Sequence, residues 1–243
     1  MISKMYTEAG KDRAEKQKKD LAKLEAEGAS GKANALRGAL KEGNNEEVGA
    51  GFEIDQEALP AIAFENDLLF HYNDEDIIMT HLPNAHTNGD VVVQFKKSDV
   101  IHTGDAFFNG RYPYIDLESG GSYKGYIKGL VTIQNLAGND TKIIPGHGDL
   151  ARKGDVLEVQ KMLETLYSRV KLHYLQDKTE DEIAAMRDFT QFYDEKGYGD
   201  GYITTEKILR TLYKEVDKNE GNYKRQQKLK QKKYEEMKKK SGN

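Results

Sequence analysis

The chain has 243 residues, 37% of them hydrophobic and 32% charged, with a net charge of -4. Its 37 basic groups stand against 41 acidic ones, which argues against a general nucleic-acid binder because nothing basic dominates. There is no Cys, so disulfides, thiolate zinc sites, iron–sulfur clusters and cysteine nucleophiles are excluded, while the compartment stays open. The longest apolar run, Ala58 to Phe64, falls well short of the roughly 20 residues a membrane-spanning helix needs, so no membrane partner is expected. The opening MISKMYTEAGKDRAEK shows no apolar secretory segment, and localisation is undecided.

Residues 1–55 are charge-rich, mix both signs, lack Pro in the first fifty, and repeat Ala, Leu, Glu and Lys. Such strings predict helices over Tyr6–Glu27 and Lys32–Lys41, interrupted by Gly28-Ala29-Ser30-Gly31. The next zone carries strand signals: apolar runs at Ala61–Phe64, Asp67–Tyr72, Ile77–Leu82, Val91–Phe95, Val100–Thr103 and Lys142–Pro145, divided by turn clusters. Asn73-Asp74-Glu75-Asp76 reads as a hairpin turn. Tyr126, Leu130, Ile133 and Leu136 fall at helical spacing and predict a helix over Gly125–Leu136. Val156, Val159, Met162, Leu163, Leu166 and Val170 mark the apolar face of another. Shorter helices are expected over Thr179–Arg187 and Thr204–Val216, each opened by a Thr able to cap it. The basic stretch 218–243 is expected to be a disordered tail.

Three segments carry chemistry: Ala85-His86-Thr87-Asn88-Gly89-Asp90, Ile101-His102-Thr103-Gly104-Asp105 and Ile144-Pro145-Gly146-His147-Gly148. Each sets a His or Asp after a strand-like run and beside Gly. Strand ends present side chains to a shared crevice, and Gly lets the backbone approach its neighbours closely. Imidazole nitrogen and carboxylate oxygen suit zinc, manganese or iron. Two lookalikes fail. A phosphate loop over 26–33 lacks its first Gly and its hydroxyl residue. A calcium loop over 194–205 has Lys196 and Tyr198 at liganding positions and Thr205 in place of the bidentate Glu. No Gly-x-Ser-x-Gly elbow supports a serine hydrolase.

In this order, HTNGD, VIHTGDAFFNGRYPYIDLESGGS and TKIIPGHG closely resemble the second half of metallo-β-lactamase-fold metallo-hydrolases, and the likeness runs on through GDVLEVQKMLETLYSRV and GYGDGYITTEKILRTLY. The resemblance implies an α/β fold, part of an αββα sandwich over 56–217, with an added N-terminal helical segment and a helical C-terminus. It also implies zinc, one or two ions in the complete fold, polarising a small-molecule ester, amide or related bond and supplying a bound hydroxide. On matching positions, His86 corresponds to a ligand of the first metal, Asp105 to the carboxylate bridging both, and His147 to a ligand of the second. Asp90 is expected either to orient a ligand or to cap its turn.

The family's H-x-H-x-D-H motif has no counterpart: of six His, none precedes His71. The chain is therefore expected to lack the first half of the fold, and to expose an apolar sheet face that invites homo-oligomerisation or the missing half. The alternative is a non-catalytic remnant or interaction protein with relic ligands. His102 is expected to be buried or hydrogen-bonded behind the ligands, and His71, His81 and His173 to be structural. Arg111, Tyr112 and Tyr114 are expected either to line a substrate pocket or to pack a loop.

Overall fold

The computed structural model describes Lys19 and residues 62–241. The chain divides into two compact units, Met1–Ala63 and Phe64–Asn243. Apart from Lys19, the two expected N-terminal helices and the phosphate-loop lookalike lie outside the described residues.

Strands β1 (Asp67–Tyr72), β2 (Glu75–Leu82), β3 (Asp90–Phe95), β4 (Val100–Phe108) and β5 (Lys142–His147) form one sheet in sequence order. The first three pairings are antiparallel, and β4 and β5 run parallel. The β1–β2 hairpin closes through Asn73 and Asp74 at φ of 50° and 60°, left-handed values these short polar side chains tolerate. The strand expected over Ala61–Phe64 is not formed: Ile62–Phe64 lead into a bend without pairing, and β1 is the outer strand of the sheet. The strand expected to stop at Thr103 instead continues to Phe108, because Gly104 kinks it without ending it.

A parallel pair needs a crossover, and here α1 (Tyr123–Leu136) supplies it. Ser122 caps α1, its Oγ accepting from Gly125 N at 3.0 Å. Then come α2 (Lys153–Leu175), the short α3 (Glu180–Ala184) and α4 (Gln191–Asp194), and the long α5 (Thr205–Ser241). Thr179 and Glu182 form a reciprocal capping box at α3.

The core lies between one face of the sheet and the helices. Val92, Ile101 and Ile143 from the strands meet Tyr126, Leu130 and Ile133 of α1. Behind these, Val159, Met162, Leu163, Leu166 and Val170 of α2 pack with Ile208, Leu209, Leu212 and Val216 of α5. The opposite face carries the row Leu68, Met79, Val93, His102 and Ile144, paired neighbour to neighbour across all five strands. None of that row is fully buried.

The tail expected to be disordered is the continuation of α5. Its Lys, Arg, Gln and Glu residues are strong helix formers, so the helix outruns its packing. Lys224 and Lys228 both pair with Asp177, and Lys224 Nζ lies 3.9 Å from the centre of the Tyr174 ring.

Two outcomes follow. Leu163→Ala removes a fully buried side chain and should cost about 2–5 kcal/mol in urea unfolding. Lys196 donates to Glu158 Oε1 at 2.8 Å and holds that carboxyl below its ordinary 4.5. A depressed carboxyl contributes stability above its unfolded pKa and loses it as pH falls through the lower folded value. Glu158→Gln should therefore lower the melting temperature at pH 7, and the gap from the parent should narrow steadily below pH 4.5.

Candidate metal centre

The centre begins with Asp105. Gly104 has φ of 51°, and the ladder to β5 shifts register on both sides of it. Asp105 thus stands inside β4, just past the kink, and not at the strand end that the sequence suggested. Across the parallel ladder, Gly104 faces Pro145 and Phe108 faces His147. A Cβ on Gly146 would stand 2.2 Å from Asp105 Oδ1 and 2.7 Å from the Gly104 carbonyl carbon, so only Gly lets β5 pass the carboxylate this closely.

His86 sits in the connection between β2 and β3, which is fastened by its carbonyl groups. Asp116 N donates to His86 O at 2.9 Å, and Ser122 N to Asn84 O at 3.0 Å. A Cβ on Gly121 would lie 2.1 Å from His86 O, and one on Gly125 would lie 1.8 Å from Asn84 O. The helix start and the histidine loop therefore press backbone against backbone. His86 Nδ1 donates to Tyr114 O at 2.8 Å, which leaves Nε2 as the acceptor nitrogen facing Asp105.

The three residues singled out in the sequence come together. His86 Nε2 lies 3.6 Å from Asp105 Oδ2, and His147 Nε2 lies 3.5 Å from Asp105 Oδ1. Each imidazole addresses a different oxygen of one carboxylate. The His86 side chain is 14% exposed and His147 56%, so one imidazole is held inside and the other stands at the rim, beside the Phe108 ring at 4.5 Å. Tyr126 hydroxyl donates to Asp105 O at 3.3 Å from a fully buried position, and burial pushes its pKa well up, so it stays a donor.

Around this cluster, other expectations resolve. Asp90 accepts from Thr87 N at 2.8 Å and Thr87 Oγ1 at 3.2 Å, which makes it the turn cap. His102 is exposed on the open sheet face, its Nδ1 accepting from Gly104 N at 3.2 Å, because alternation along β4 turns it away from the core. Of the two expected outcomes, burial or a hydrogen bond behind the ligands, burial does not form, and the hydrogen bond runs to the Gly104 backbone beside Asp105. His81 has both ring nitrogens within 2.8 Å of the Glu65 and Asn88 carbonyls. His71 pairs with Asp76, and His173 stacks on Phe189. Tyr112 is buried, its hydroxyl donating to Asp194 at 3.0 Å, so it packs the loop. Tyr114 lies against the His86 ring at 5.3 Å. The Tyr114 carbonyl and the close passes at Gly121 and Gly146 were invisible in the sequence, apart from the glycines themselves.

Among the described residues, no three His, Cys, Asp or Glu side chains close on a single point. The geometry is two facing pairs sharing Asp105. Nor does either cavity of about 560 Å³ include the three residues: one is lined by α4 and Arg187, the other by the β1–β2 hairpin.

No protein-family model and no curated protein matches the chain. Among solved structures, a double mutant of the sec-alkyl sulfatase PisA1 aligns at a TM-score of 0.52 and 16% identity, covering 64% of this chain and 26% of that one. The same sulfatase from Pseudomonas sp. aligns at 0.48 with 14% identity and the same coverage, 64% and 26%. A metallo-beta-lactamase from Pontibacter korlensis aligns at 0.39 and 15% identity, covering 44% of this chain and 50% of its own. The chain spans about half the length of that lactamase and about a quarter of the sulfatase. The described residues thus form a mixed α/β fold, one five-stranded sheet with helices, similar to part of that sulfatase.

Because a Cβ at Gly121 would meet the backbone carbonyls of His86 and Asp116, Gly121→Ala should displace the His86 loop. We expect a loss of about 1–3 kcal/mol in thermal unfolding and shifted His86 ring resonances in NMR spectra.

Proposed function

We propose that His86, Asp105 and His147 are the metal-binding part of a metal-dependent hydrolase centre, with zinc as the cation and a small molecule carrying an ester, amide or related bond as substrate. One observation carries the reading: each imidazole stands 3.5 or 3.6 Å from its own oxygen of Asp105. That is too long for a hydrogen bond. Two ligands of one tetrahedral zinc, at about 2.0–2.2 Å from the ion, stand about 3.4 Å apart. The donor set also fits, since His86 Nε2 is the free acceptor and the Asp105 carboxylate offers one oxygen to each side.

A bound divalent cation would polarise the substrate's carbonyl or related oxygen and lower the pKa of a water. The chain's own part is to hold the ligands. Tyr114 O fixes the His86 tautomer, Tyr126 anchors the Asp105 backbone, and Gly146 keeps β5 against the carboxylate. β-Lactam cleavage does not follow, because this kind of fold hosts many reactions.

The second reading, a non-catalytic interaction protein with relic ligands, is favoured by one observation: the described residues offer each cation only one His and one carboxylate oxygen. Metal titration separates the two. In calorimetry with zinc, the parent should bind, and His86→Ala, Asp105→Asn and His147→Ala should each weaken binding by about tenfold or more. Affinity should also fall on acidification, because protons compete with the cation for its ligands. No zinc uptake above background in the parent, or equal uptake in all variants, would overturn the hydrolase reading. Hydrolysis of generic esters and lactams by the zinc-loaded protein would then narrow the substrate.

A further inference from the structure

A second cluster lies two ring contacts from the centre. The Tyr114 ring touches His86 on one side and the Tyr202 ring on the other, edge to face at 6.0 Å. Tyr202 is 76% exposed, a large amount for an aromatic ring held in place by its neighbours. Lys207 Nζ lies 3.9 Å from the centre of that ring and donates to the Tyr202 carbonyl at 2.8 Å. Arg111 lies alongside: its Nη1 is 3.5 Å from where a Cβ on Gly201 would stand. Arg111 is exposed and makes no hydrogen bond or ion pair with any described residue.

Two of the nearby acids are engaged and a third is turned away. Asp194 accepts from Tyr112 and Thr205, Glu206 pairs with Arg210, and the Asp200 carboxylate folds back toward Gly197. Neither Arg111 nor Lys207 therefore forms an ion pair with a described carboxylate, and the Tyr202 ring beside them stays largely exposed. Tyr112 N donates to Tyr198 O at 3.1 Å, which ties the segment after Arg111 to the loop before Tyr202, and Lys207 stands in the first turn of α5.

We infer that Tyr202, Lys207 and Arg111 form a recognition subsite for a planar organic anion, an aromatic or conjugated group bearing a carboxylate. The ligand's ring lies against the exposed Tyr202 ring, its carboxylate is taken by the Arg111 fork, and Lys207 over the Tyr202 ring adds a second positive charge nearby. The Arg111 guanidinium suits a carboxylate because its donors are planar and bidentate. Calling this a substrate subsite rests on the hydrolase reading; the binding itself does not. The subsite would place the substrate's anionic end at Tyr202 and its reactive bond toward His86.

The test uses the full chain in EDTA, so that metal plays no part, with benzoate as the ligand and benzyl alcohol as its neutral counterpart, followed by ligand-observed saturation-transfer NMR at low salt. Benzoate should bind more tightly than benzyl alcohol, and Arg111→Gln, Lys207→Met and Tyr202→Ala should each weaken it roughly fivefold or more. All three side chains are at the surface, so matched melting curves confirm that the variants fold. Equal binding of benzoate and benzyl alcohol, unchanged benzoate binding in the variants, or no benzoate binding to the parent would overturn the inference. Zinc titration of the same samples keeps the two ideas apart. Zinc uptake without selective benzoate binding sinks the subsite alone, and selective benzoate binding without zinc uptake sinks the metal centre alone.

Discussion

The candidate centre depends on one contact, the passage of β5 beside the carboxylate of Asp105. A methyl group at Gly146 would occupy the space of Asp105 Oδ1, so the parallel pairing and the position of the carboxylate are a single constraint. The Gly104 kink aims Asp105 out of the ladder while the strand continues. Because β4 and β5 run parallel, the crossover through α1 is required, and it delivers His147 to the same end of the sheet as Asp105.

The other histidine arrives by a different device. His86 lies in a connection whose carbonyls accept from Asp116 and from the start of α1, and whose imidazole is pinned by Tyr114. Backbone contacts at Gly121 and Gly125 leave the loop no room to move toward the helix. The cluster is therefore preorganised by main-chain packing, which costs little at the moment a ligand arrives. What the described residues do not supply is a third ligand for either side of Asp105.

The helices act as ballast for this arrangement. The face of α2 read from its apolar spacing is buried as expected, and α5 closes over it. Tyr123 of α1 stacks on Tyr167 of α2 at 3.9 Å with planes 3° apart, while Tyr123 N donates to Glu215 of α5 at 2.9 Å. The start of the crossover helix is thus tied to both others. One face of the sheet is fully used in this way, and the opposite row from Leu68 to Ile144 is not.

The sequence by itself determined local matters: five of the six expected strand runs, the apolar face of α2, a hairpin turn within Asn73-Asp74-Glu75-Asp76, and which His and Asp residues stand beside glycine. These depend on side-chain periodicity and on backbone preferences within a few residues. It misplaced the end of β4, because a single glycine can stop a strand or merely kink it, and only the pairing with β5 decides which. It took 218 onward for a loose tail, because charge reads as solvated while helix propensity extends α5 without packing. Convergence of His86, Asp105 and His147, the tautomer set by the Tyr114 carbonyl, and the exposure of His102 were decided by tertiary structure alone. Each depends on which segments lie side by side, and residues far apart in the chain become neighbours only through the sheet and its crossover.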